Sequence, residues 1–116
     1  MAALPGREQE ARAAIRQAIA YAHEIRATYI HVMAGIATGE VARATFIENL
    51  RYACSKANQF GMTILIEPLN HIDAPGYFLA HSAQAKNIIE SVGASNLKLM
   101  FDCYHIQIME LSLIHI

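Results

Sequence analysis

The sequence predicts an α/β fold built on a parallel sheet, and three observations carry that prediction. Short apolar runs begin at Tyr29, Met62 and Leu97, spaced 33 and 35 residues apart. Segments with apolar residues at helical intervals lie between them, and Gly35, Gly61 and Gly93 punctuate the boundaries. Strands alternating with helices at this interval imply right-handed crossovers and parallel pairing. A doubly wound sheet and a β/α barrel both satisfy the pattern. No G-x-G-x-x-G or Walker signature favours a nucleotide-binding sheet.

The first helix is expected from Glu8 to Arg26, with Ala11, Ile15, Ala18, Ile19 and Ala22 recurring at its period. Tyr29-Ile-His-Val-Met-Ala34 follows, a nearly continuous apolar run that ends at Gly35 and reads as a strand buried on both faces. A second helix is expected from Val41 to Phe60, lined by Phe46, Leu50, Ala53 and Ala57 and stopped by Gly61. Met62–Glu67 is the second strand. Pro68 to Leu79 is a loop turned at Pro75-Gly76. Ser82 caps a third helix ending near Val92, with Gly93 as its stop. Leu97–Asp102 is the third strand.

Composition narrows the function classes. With 54% hydrophobic and 16% charged residues, the chain is core-forming rather than disordered. The formal net charge is -1 and no basic run is present, which argues against a nucleic-acid footprint. No apolar stretch reaches membrane-spanning length, and the N-terminus lacks a signal-peptide pattern. Cys54 and Cys103 form no Cys-x-x-Cys pair and read as reduced core thiols of a cytoplasmic protein. The methionines at 33, 62, 100 and 109 read as core fillers, His31 as a structural residue of its strand, and Glu40, Glu48 and Arg51 as solvated helix charges.

Two strands share a design that bears on chemistry. Met62–Glu67 is apolar until Glu67, and Leu97–Asp102 is largely apolar until Asp102. In β/α barrels functional groups sit at the C-terminal ends of strands. Adjacent parallel strands lie about 5 Å apart, so neighbouring strands would bring both carboxylates to one small site. Two carboxylates that close repel, and a proton or a divalent cation must resolve the conflict. Hard cations take oxygen ligands, which favours Mg²⁺ or Mn²⁺. The simpler alternative is that each carboxylate caps a turn or pairs with an arginine. His105, three residues past Asp102, either reaches over the same face or is a hydrogen-bonded structural residue.

The motifs then resemble a family. Ala2-Ala-Leu-Pro-Gly-Arg-Glu8, Tyr29-Ile-His-Val-Met-Ala-Gly35, Ile66-Glu-Pro-Leu-Asn70, Pro75-Gly-Tyr-Phe-Leu79 and Asp102-Cys-Tyr-His-Ile-Gln-Ile-Met-Glu110 are similar, in order and spacing, to the hydroxypyruvate isomerases of the xylose-isomerase-like barrel superfamily. The resemblance implies an α/β fold that is part of a TIM (β/α)8 barrel, roughly strands 3 to 5 with their helices, over residues 1–110. It implies interconversion of hydroxypyruvate and 2-hydroxy-3-oxopropanoate. Glu67 would be the catalytic glutamate and a metal ligand, Asp102 a second metal ligand, and His105 a substrate-binding residue. The cofactor would be a divalent cation, and the partner a small hydroxy/oxo acid rather than a nucleic acid or a membrane.

That chemistry agrees with the strand-end carboxylates. Moving a carbonyl to the adjacent carbon requires loss of a proton next to C=O, and a cation stabilises the resulting enediolate. A second group must return a proton to the neighbouring carbon. The resemblance assigns that step to a late-strand glutamate outside this chain. Such barrels need eight strands and typically about 250 residues, so the chain is expected to be a fragment that is inactive and poorly packed alone. Ile72 stands where family members often carry arginine. Residues 111–116, Leu-Ser-Leu-Ile-His-Ile, resemble a translated sequencing adapter and are expected to be a non-native tail. Related readings on the same barrel are a 2-oxo-tetronate-type isomerase, an endonuclease-IV-like repair protein, and a non-catalytic barrel domain.

Overall fold

The computed structural model describes residues 1–69 and 75–100. Six elements alternate along them: α1 (Glu8–Glu24), β1 (Tyr29–His31), α2 (Gly39–Asn58), β2 (Thr63–Ile66), α3 (Ser82–Val92) and β3 (Leu97–Leu99). The strands form one sheet in the order β1-β2-β3, with both pairs parallel. Tyr29 stands beside Thr63 and His31 beside Leu65, while Leu65 stands beside Lys98 on its other flank. The predicted topology is therefore observed.

The helices form where apolar period and end signals agree. In α1, Ala11, Ile15, Ile19 and Ala22 are buried, and Glu8 and Glu10 place negative charge in the first turn, where the helix dipole favours it. Ala18, expected on the same stripe, is exposed. The helix ends two residues before the predicted Arg26, because Arg26 turns left-handed at φ 61° and Ala27 N–H closes back on Ala22 C=O at 2.9 Å. The second helix is the centre of the layer: Phe46, Leu50, Ala53 and Ala57 are fully buried. The third ends as predicted at Gly93, whose φ of 72° suits a residue without Cβ. Its N-terminal flanking residue is His81, in extended conformation, and Ser82 is the first helical residue instead of the cap.

The strands depart from expectation in burial. Their apolar runs predict cover on both faces, yet only alternate residues are buried. Ile30, Val32, Ala34, Met62, Ile64, Ile66 and Leu97 face the helices and are buried. Tyr29, His31 and Lys98 on the opposite face are exposed, and Thr63 and Leu65 are half-buried. Side chains alternate across a strand, and among the described residues nothing covers that second face. His31 and Met33 are thus exposed rather than buried in a core. The ladder is also shorter than the apolar runs, although Val32 N–H to Leu65 C=O (2.9 Å) and Met100 N–H to Ile66 C=O (2.8 Å) extend it by single bonds.

The N-terminal residues add a further layer. Ala2 and Ala3 N–H donate to the carbonyls of Met33 and Ala34, each at 2.9 Å. Asn49, fully buried in α2, donates to Ala2 C=O at 2.8 Å and accepts from Arg12 Nε at 3.2 Å. A buried amide tolerates its position only when so paired.

Candidate functional site at the strand C-termini

Glu67 follows the last residue of β2, so it emerges at the C-terminal edge of the sheet. Met62, Ile64, Ile66 and Pro68 are buried, while Thr63, Leu65 and Glu67 are half-buried. The alternation carries the Glu67 carboxylate to the open face, away from the helices.

A loop segment is tied down beside it. Tyr77 bridges Ile36 in an antiparallel pairing, and Phe78 N–H donates to Gly35 C=O at 2.8 Å. Leu69 N–H donates to Leu79 C=O at 2.9 Å. Gln84, in the first turn of α3, donates to Phe78 C=O at 2.8 Å and accepts from Ala80 N–H at 3.0 Å. The Phe78 ring meets Phe46 edge-on, with centroids 5.8 Å apart. The segment from Tyr77 to Ala80 is thereby fixed against the ends of β1, β2 and α3.

Tyr77 is buried, and its hydroxyl oxygen accepts the backbone N–H of Ala34 at 2.9 Å. Burial pushes the phenol pKa upward, and the Ala34 and Gly35 N–H groups pull it back. The Glu67 carboxylate pushes it up slightly further. In the sequence, Pro75-Gly76 reads as a turn and Pro75–Leu79 as one of the stretches that resemble the family, and neither gives Tyr77 a role. The partner of its hydroxyl lies 43 residues away, and no local spacing encodes that. The one signal present is a polar-tipped aromatic inside an apolar run.

Asp102 and His105, with Cys103, fall outside the described residues. So do Ile72, Asp73 and the tail from Leu111 onward. Among the described residues no three His, Cys, Asp or Glu side chains are grouped to hold a metal ion. Glu67 is the one sequence-predicted site residue that the structure places. His31 lies in β1 on the open face, exposed. Among the described residues no helix is long and apolar enough to cross a membrane.

Comparison with known proteins decides the family. The family model of the xylose isomerase-like TIM barrel matches residues 1–114. The chain belongs to that family. A 2-oxo-tetronate isomerase of Cupriavidus necator is 48% identical over 114 residues, covering 95% of this chain and 44% of the relative. A hydroxypyruvate isomerase of Escherichia coli is 40% identical, again over 95% of this chain and 44% of the relative. The crystal structure of an AP endonuclease, family 2, from Brucella melitensis superposes with TM-score 0.91 at 40% identity. It covers 99% of this chain, which in turn covers 47% of that one. The chain thus spans less than half the length of these relatives. The open sheet face is the one that looks into the interior in a barrel of this family.

Proposed function

We propose that the protein is an isomerase of small hydroxy-oxo acids, interconverting hydroxypyruvate and 2-hydroxy-3-oxopropanoate. The observation that carries this reading is Glu67 at the C-terminal end of β2, on the open face of the parallel sheet. Active sites of β/α barrels are built at that end. In this reading the Glu67 carboxylate removes a proton from the carbon beside the substrate carbonyl, and a second group delivers a proton to the adjacent carbon. Glu67 and Asp102 would hold a divalent cation, Mg²⁺ or Mn²⁺. When bound, that cation supplies positive charge beside the oxygen on which negative charge develops. His105 would contact substrate oxygens. Cys54, a buried free thiol, suits a reducing, cytoplasmic setting.

A second reading is an isomerase for a longer acid of the 2-oxo-tetronate type, favoured by the 48% identity to the enzyme of that name. Proton transfer by Glu67 is the same in both. The assay is turnover of each acid by the complete open reading frame that carries these residues. Turnover of at least one acid, abolished by chelation and restored by Mn²⁺ or Mg²⁺, is expected. Turnover of neither acid by folded, metal-supplied protein would refute the proposal. Because the Brucella protein is called an AP endonuclease, nuclease activity on DNA is the control reaction, and the net charge of -1 argues against it.

A further inference from the structure

Tyr77 presents a hydroxyl whose place is hard to explain by packing alone. Its ring fills a buried position that phenylalanine would fill as well. The hydroxyl instead takes the N–H of Ala34, in the segment that leaves the C-terminal end of β1. That end lies on the neighbouring track to Glu67: Val32 N–H donates to Leu65 C=O, two residues before Glu67. From the other side, the Leu69–Leu79 bond closes the same segment onto the chain just past Glu67. The segment that carries the phenol is therefore bonded to both exits, to β1 through the Tyr77 hydroxyl and to β2 through the Leu79 carbonyl. A carboxylate on a half-open strand end has several rotamers, and a rigid neighbour restricts them.

We propose that Tyr77 is a positioning residue for Glu67, acting through its bond to Ala34 to hold the β1 exit and the Tyr77–Ala80 segment in place beside the backbone that flanks Glu67. The proposal rests on the reading of Glu67 as the base. It requires no contact between Tyr77 and substrate. Small losses of alignment between base and carbon are costly, on the order of tenfold or more in rate.

The test uses the complete reading frame with Tyr77→Phe, which keeps the ring and deletes the oxygen. Tyr77→His is the second variant; it displaces the acceptor from Ala34 while retaining a polar ring, so either soluble variant suffices. Phe78→Leu is the control, since it loosens the contact with Phe46 and leaves the hydroxyl in place. Expected for the Tyr77 variants is a kcat about tenfold lower with KM within about threefold of wild type. The isotope effect on kcat, with substrate deuterated at the carbon that loses its proton, should rise. Partial unfolding lowers kcat but leaves both KM and the isotope effect unchanged, so a purely structural role cannot mimic this result. An unchanged isotope effect in the Tyr77 variants, or an equal rise in Phe78→Leu, would overturn the inference. Wild-type protein that isomerises neither acid overturns the functional proposal and this inference together. Normal wild-type turnover with an unaltered isotope effect in the variants overturns this inference alone.

Discussion

The two faces of the sheet obey different rules. On the helix side, Ile30, Ile64, Ile66 and Leu97 meet Phe46, Leu50 and Ile88 in one continuous core. Every residue needed to bury that face comes from within the described chain. On the open side Tyr29 is 63% exposed while its neighbour Ile30 is 7% exposed. Position in the strand, not residue type, separates them: a tyrosine is as able to be buried as an isoleucine is. One face is thus a stability device, and the other carries Glu67. Mutations on the two sides should separate fold from chemistry.

The largest effect is expected for Glu67→Gln in the complete reading frame. On the proposed role of Glu67 as the base, the change should lower kcat by about a thousandfold and shift the thermal midpoint little, because Glu67 is only half-buried. A thousandfold loss accompanied by unfolding would erase the distinction between the faces. Phe46→Ala is the mirror experiment. It empties a fully buried site beside Phe78 and should cost about 3–5 kcal/mol in chemical denaturation. Substrate KM in whatever fraction stays folded should be unchanged.

Smaller effects sharpen the helix side. Asn49→Ala leaves the Ala2 carbonyl without its buried donor and should cost about 1–3 kcal/mol, with faster proteolysis of the first residues. Burial raises the Cys54 thiol to about 11, so the folded state keeps a proton that the unfolded state releases at lower pH. Stability tied to that proton is intact below the pKa of a free thiol and is lost as pH climbs toward about 11. Cys54→Ala should flatten the alkaline fall in the denaturation midpoint. Gly93→Ala, at φ 72° with no crowding beyond the Glu90 carbonyl at 4.0 Å, should cost about 1 kcal/mol.

The fold is legible in the sequence where local rules act alone. Helical spacing marks Ile15 and Ile19, and the buried stripe of α2, because a helix exposes its period directly. Gly93 marks the end of α3 because only a left-handed residue closes it there. Strand burial is not legible in the same way. A run such as Tyr29–Ala34 is apolar on both faces in a barrel, and sequence alone cannot say which neighbours cover the second one. Arg26 gives no warning of the left-handed turn just past α1, since arginine has no local preference for that region.

Sequence by itself determined the alternation of elements, the parallel sheet they must form, and the place of Glu67 at a strand end, because each of these follows from period and punctuation. Tertiary structure alone decided that Glu67 faces away from the helices, that the Tyr77–Leu79 segment joins the exits of β1 and β2, and that Asn49 anchors the first residues. Those facts depend on pairs separated by dozens of positions, and hydrogen-bond partners that distant leave no trace in local spacing.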